Sequence, residues 1–142
     1  MKGLPGLIRI GRQDMEVCRK ALADLESQIA QTRYQISSLN QRVLAEGEHT
    51  GQTVEEARAF SAFLSASLTR KAALEETLER LRIDAEDARE KVADAYREVR
   101  KLELAEQRDQ ERAALETRRR EQAVLDDIGL SMHRRNGARS AD

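Results

Sequence analysis

The sequence is short of the residues that build a thick globular core. It contains no tryptophan, two tyrosines, two phenylalanines and a single proline, whereas 36% of its 142 residues are charged. Large aromatic side chains contribute much of the area that a compact domain buries, so this composition favours long, thin helical structure. An enzyme holds its reacting groups in an enclosed, dry site, which such a structure lacks. We therefore expect no enzyme, no cofactor and no metal ion.

A single cysteine excludes an intramolecular disulfide bond. Cys18 falls at an apolar helix position, where a small residue packs well, so an inert side chain is favoured over a reactive thiol. The apolar stretch near the start of the chain is too short for a signal peptide or a membrane span. We expect a cytoplasmic protein.

The charge balance argues against nucleic acid as a partner. The formal net charge is −1 and the pI is near 6.2, whereas nucleic-acid binding depends largely on basic groups that neutralise phosphates. An RNA-binding module remains a minor alternative because Arg118 to Arg120 form a basic cluster, but Glu116 and Glu121 dilute its charge. A steep dependence of nucleic-acid affinity on salt would favour that alternative.

Small and apolar residues recur along the chain in two ladders, at alternating spacings of three and four residues. This alternation averages about 3.5 residues and is typical of helices that supercoil against each other. The first ladder is Ile8, Gly11, Met15, Cys18, Leu22, Leu25, Ile29, Thr32, Ile36, Leu39 and Val43. The second is Ala57, Phe60, Leu64, Ser67, Lys71, Leu74, Leu78, Leu81, Ala85, Ala88, Val92, Ala95, Val99 and Leu102.

The second ladder can fold back on the first. The spacing then pairs Ile29 with Lys71 and Thr32 with Ser67, and the latter pair would form a polar layer that fixes the coiled-coil register at some cost in stability. The sequence thus predicts an all-α fold, a two-helix antiparallel coiled-coil hairpin whose second helix is about twice as long as the first.

Glycines and capping residues predict where the helices begin and end. Gly47 and Gly51 bracket a polar hairpin tip, Thr53 and Glu56 have the spacing of a capping box, and the next glycine is Gly129. The predicted segments are a flexible lead (1–6), helix one (7–46), the tip (47–53), helix two (54–128) and a basic flexible tail (129–142).

The second helix is expected to outrun the first after about residue 95. Apolar residues continue into this overhang, so we expect them to form a surface for a partner. Pairs of opposite charge one turn apart, such as Glu116 with Arg120, can help to keep an exposed helix formed.

Three stretches of the sequence are similar to those of a known family. They are Leu-Ile-Arg-Ile (7–10), Lys-Leu-Glu-Leu-Ala-Glu-Gln-Arg-Asp-Gln-Glu-Arg (101–112) and Arg-Glu-Gln-Ala-Val-Leu-Asp-Asp-Ile (120–128). With the long-helix hairpin, they resemble the flagellar export protein family FliJ, and most closely its alphaproteobacterial forms. The resemblance spans essentially the whole chain, and its most specific part is the ending that contains Gln122, Asp126 and Asp127.

The resemblance implies a component of the flagellar type III protein export apparatus, with a role in flagellum biogenesis and motility. Members are similar to the central stalk of rotary ATPases: they insert their paired terminal regions into the ring of the export ATPase FliI and stimulate it. The resemblance also implies contact with the membrane export gate FlhA and assistance to export chaperones. The expected location is the cytoplasm, peripheral to the inner membrane at the flagellar base.

Two contact surfaces are predicted with this resemblance. The expected contacts with the ATPase ring are Leu7, Ile8, Val99, Leu102, Gln122, Leu125, Asp126 and Asp127. The expected contacts with the export gate are Phe60, Phe63 and Leu64. Phe63 is the clearest candidate because it lies one residue before Leu64, a position of the second ladder, and should therefore be partly exposed.

Two alternatives remain open from the sequence. The overhangs of two hairpins could bury each other in a self-associating structural coiled coil, because apolar residues on a helix do not determine which partner covers them. The chain could also be the equivalent stalk of a non-flagellar type III secretion system.

Overall fold

The computed structural model describes residues 2–51 and 53–140, with side chains up to residue 139. Two α-helices contain nearly all of these residues: α1 is Leu4–Glu48 (45 residues) and α2 is Val54–Ser140 (87 residues). No strand occurs in the described ranges. The predicted all-α hairpin, with a second helix about twice as long as the first, is confirmed.

The two helices contribute to two compact units. The hairpin unit is Gly11–Arg97 and contains most of α1, the connection and the first half of α2. The terminal unit is Met1–Ile10 with Glu98–Asp142 and contains the first turns of α1 and the rest of α2. Within the hairpin unit the helices run antiparallel, because only residues 49–53 connect them.

The ladder positions form the buried seam of the hairpin unit. Ile29, Leu78 and Ala85 make up its core cluster, and half-buried residues of both helices pack against them. Every ladder residue of this unit is buried or half-buried except Ala57, which is exposed. Ala85 is 0% exposed, and its small side chain allows the two helices to approach closely. The periodicity therefore predicts the buried face correctly.

The register of the two helices differs from the predicted one by one heptad. Ile29 lies in one core cluster with Leu78, seven residues beyond its predicted partner Lys71. Near the tip, a Cβ atom on Gly47 would lie 3.3 Å from Cζ of Phe60, so these two residues also face each other. The prediction fails because the seam repeats every seven residues, and sliding one helix by a heptad presents the same face to its partner.

Thr32 and Ser67 are both buried, at 7% and 6% exposure, but in separate layers. Ser67 lines a groove with Leu39 and Val43, which is one heptad, or about 10 Å, along α1 from Thr32. The Thr32 hydroxyl donates a hydrogen bond to the Gln28 carbonyl at 2.8 Å, so it is satisfied within α1. The shared polar layer predicted for the pair is therefore wrong, and a role of either residue in fixing the register stays a prediction.

A short connection joins the helices. α1 ends at Glu48, two residues past its predicted end, and α2 begins at Val54. The backbone N–H of Glu56 donates to Oγ1 of Thr53 at 3.1 Å, which is the N-cap half of the predicted capping box. Gly51 has a φ of +135°, a conformation that residues with a side chain rarely adopt. A helix cap and a glycine therefore determine the turn.

In the terminal unit, the first turns of α1 pack against α2. The helix begins at Leu4 rather than after a flexible lead of six residues, because Pro5 is tolerated in a first turn, where N–H groups have no intrahelical partner. Leu4, Ile8 and Val99 are only 2%, 4% and 4% exposed. Partly buried positions continue along α2 as far as Asp109. The overhang predicted after about residue 95 therefore begins only beyond Asp109.

α2 also extends further than the sequence predicts. It continues through Gly129 and Gly137 to Ser140 instead of ending before the first of these glycines. A glycine in a helix interior costs only about 1 kcal/mol relative to alanine, so it does not by itself end the helix. Arg120 and Glu116 form an ion pair at 2.9 Å one turn apart, which supports the helix by a few tenths of a kcal/mol. The predicted flexible tail is thus helical to Ser140, and its last two residues lie outside the described ranges.

Candidate partner-binding surfaces

The last part of α2 has no intramolecular cover. Every described side chain from residue 110 to residue 139, termed the exposed segment, is exposed. Its large apolar residues have exposed fractions between 48% and 61%, and they are Leu115, Val124, Leu125, Ile128, Leu130 and Met132. Clustered apolar surface on a helix is typical of a site for a protein partner.

Part of the exposed segment is amphipathic. Val124, Ile128 and Met132 follow one another at four-residue spacing and so share one face of the helix, which is termed the apolar stripe. Away from this stripe, Nε2 of Gln122 donates a hydrogen bond to Oδ1 of Asp126 at 3.0 Å. A helix of this kind can lay its apolar face into a groove and keep its polar face hydrated.

The structure divides the predicted ATPase-ring contacts into two groups. The exposed residues are Leu7, Gln122, Leu125, Asp126 and Asp127. Ile8 and Val99 are instead buried within the terminal unit, and Leu102 is half-buried. The expectation that these three side chains lack an intramolecular partner is wrong, because the first turns of α1 pack about one heptad further along α2 than the ladders predict, as in the hairpin unit.

The predicted gate contacts lie beside the connection of the hairpin unit. Phe60, Phe63 and Leu64 are all half-buried. The guanidinium carbon of Arg42 lies 5.9 Å from the centre of the Phe63 ring, within the range of a cation–π interaction. Phe60, Phe63 and Leu64 together are termed the tip surface. Sequence reasoning missed Arg42 because the predicted register, one heptad away, did not place it near Phe63.

A groove next to the tip surface was also missed. It has a volume of about 260 Å³ and is lined by Leu39, Val43 and Leu64, with Leu44 (69% exposed) and Leu68 (58% exposed) on its sides. The sequence does indicate this groove, because Leu44 and Leu68 each directly follow a seam residue. Apolar residues on both sides of a seam widen the apolar surface beyond what the coiled coil itself buries.

The described residues contain no arrangement suited to metal chemistry. No group of three or more histidine, cysteine, aspartate or glutamate side chains in these ranges could hold a metal ion. Across the same ranges, no helix has an apolar stretch long enough to cross a bilayer. The features that stand out are therefore helix surfaces.

Fold and surfaces together define a class of protein, a coiled-coil hairpin whose second helix carries an exposed terminal segment. The model of one family, described as the flagellar FliJ protein, matches residues 1–138. The chain belongs to this family, as the resemblance predicts, and is a component of the flagellar type III export apparatus. The family is a structural component of that apparatus and is not known as an enzyme. No curated protein and no solved structure shows significant similarity to the chain.

Proposed function

We propose that the chain acts as the central stalk of the export ATPase ring, stimulates ATP hydrolysis by FliI, couples the ring to the export gate FlhA and assists export chaperones. Family membership supports this role in general terms. It would place the chain in the cytoplasm, peripheral to the inner membrane at the flagellar base. The family match favours a flagellar apparatus over a related injection system.

One observation carries the proposed ring contact, namely that residues 110–139 of α2 are exposed on every side. A ring encloses a helix that enters it, so a stalk segment needs surface available all round. Leu125 supplies apolar surface within this segment, and Asp126 and Asp127 supply charge. Of the ring contacts predicted from the sequence, these three and Gln122 are the exposed ones on α2.

ATP hydrolysis by FliI in the presence of the full chain tests the ring contact. The double variant Val124→Ser, Ile128→Ser removes most of the apolar stripe without touching a buried residue. Burial of even one such side chain contributes about 1.5 kcal/mol or more, so half-maximal stimulation should need at least about tenfold more of the variant. Val17→Ser with Tyr34→Ser, two exposed positions of α1, is the matched control. Equal stimulation by the variant and the control would remove the apolar stripe from the ring contact.

The proposed gate contact is the tip surface, with Phe63 at its centre. Phe63 is half-buried, so part of its ring is available to a partner. Phe63→Ala should weaken capture of the cytoplasmic part of FlhA in a pull-down, whereas Tyr34→Ala removes an exposed aromatic ring elsewhere on α1 and should not. Undiminished capture by Phe63→Ala would exclude this assignment.

Self-association is the second candidate, and the apolar stripe favours it as well. Two copies could bury their stripes against each other, in which case the same surface would serve a second copy instead of the ring. Light scattering at micromolar concentration separates the two functions. A stable monomer supports the stalk, and a tight dimer supports self-association.

A further inference from the structure

We propose that Arg42 is a positioning residue for the gate contact: its guanidinium stacks on Phe63 and holds the ring in the orientation that the gate binds. This inference rests on the proposed gate contact at the tip surface and adds to it a residue of the other helix.

The geometry supports a specific interaction between the two side chains. Arg42 lies on α1 and Phe63 on α2, and Cζ of Arg42 is 5.9 Å from the ring centre. Arg42 forms no ion pair in the described part of the chain, and its guanidinium carbon lies within cation–π range of this ring. Phe63 stands one residue off the seam and is only half-buried, so packing alone leaves its ring room to change rotamer.

A second contact between the helices holds the neighbouring ring. A Cβ atom on Gly47 would lie 3.3 Å from the ring of Phe60, so the absence of a side chain at Gly47 leaves room for that ring against α1. The two phenylalanines and Arg42 border a groove of about 550 Å³, with Glu46 and His49 among its other residues. Both phenylalanine rings of α2 therefore lie close to residues of α1.

A contact that orients an aromatic ring before a partner docks should raise the affinity for that partner. A ring already held in its bound orientation loses less conformational freedom when a partner docks, so affinity rises. An exposed cation–π interaction of this kind corresponds to a change in affinity of about two- to fivefold. Arginine stacks through a planar guanidinium, whereas lysine offers a compact ammonium, so Arg42→Lys should retain only part of the effect.

Fluorine NMR of the full chain tests the stacking directly. The chain contains two phenylalanines, so labelling with 4-fluorophenylalanine gives two signals, which Phe60→Leu assigns. Arg42→Ala should move the Phe63 signal, and Arg33→Ala, which removes another exposed arginine of α1, should not. A Phe63 signal that is the same in all three proteins would overturn the proposal.

Binding to the cytoplasmic part of FlhA tests the consequence. Arg42→Ala should weaken binding about two- to fivefold, Arg42→Lys should weaken it less, and Arg33→Ala should leave it unchanged. In a Phe63→Ala background, the Arg42→Ala effect should vanish. An effect of Arg42→Ala that persists without Phe63, or that is absent or reversed with Phe63 present, would overturn the positioning role. If Phe63→Ala alone left binding unchanged, the gate contact itself would fail, and with it the role of Arg42 there.

Thermal unfolding followed by circular dichroism controls for loss of structure. Arg42 is exposed, so Arg42→Ala and Arg33→Ala should unfold at closely similar temperatures. A large additional loss of stability in Arg42→Ala would make the residue a structural support of the tip and would count against a role confined to positioning Phe63.

Discussion

Leu78 and Leu68 are the same residue type on one helix, but they differ in what they contact. Leu78 is 9% exposed in the core cluster of the hairpin unit, and Leu68 is 58% exposed beside the groove. Leu78→Ala should lower the free energy of unfolding by about 2 kcal/mol or more. Leu68→Ala should change it by no more than about 0.5 kcal/mol. Urea unfolding followed by circular dichroism measures both, and equal losses would contradict the assigned core.

Single residues also differ in how far the sequence predicts them. The Thr53 cap follows from local spacing alone, and the hydrogen bond from Glu56 confirms it. The contact of Arg42 with Phe63 depends on which turn of α1 faces which turn of α2, and nothing local carries that information. Contacts within one helix can therefore be predicted, whereas contacts between the helices depend on the register.

At the level of the helices, the seam was predictable and its register was not. A heptad repeat specifies which face is buried, because each residue type returns to the same side of the helix every seven positions. It does not distinguish two alignments that differ by one heptad. In the observed alignment, Phe60 of the second ladder lies against Gly47, which is beyond the last residue of the first ladder.

The lone cysteine allows a direct test of the register. Cys18 and Ala88 line the same groove between the helices, so Ala88→Cys should cross-link to Cys18 with a short bis-alkylating reagent. In the register predicted from the ladders, Leu81 would lie nearer to Cys18, so Leu81→Cys is the control. Mass spectrometry of the digested, alkylated chain identifies the linked peptides. Linkage through Leu81→Cys but not through Ala88→Cys would contradict the observed register.

Helix ends were the least predictable elements. Pro5 and Gly6 read as helix breakers, but α1 begins at Leu4, and Gly129 does not end α2. In the first case, burial of Leu4 and Ile8 stabilises the early turns. Together with the one-heptad shift in register, the early start of α1 covers Val99 and the residues after it, so the surface available to a partner lies further along α2 than the ladders indicate.

At the scale of the whole molecule, the stalk role predicts that the protein acts as a single copy. The exposed segment should bind the ring and not another chain, so the purified protein should be a monomer at micromolar concentration. Light scattering gives the mass directly, and the expected value is the 16.1 kDa of one chain. A mass of two chains that falls to one chain in the Val124→Ser, Ile128→Ser variant would instead assign the apolar stripe to self-association.

The central claim is that residues 110–139 of α2 are the surface through which the chain stimulates the export ATPase. The most direct measurement compares ATP hydrolysis by FliI with the full chain and with a chain that ends after Gln110, which retains every residue that the structure describes as buried or half-buried. Circular dichroism and unfolding of the shortened chain verify that the packed helices remain. The account predicts that the shortened chain is folded and no longer stimulates hydrolysis. Full stimulation by the shortened chain would contradict it.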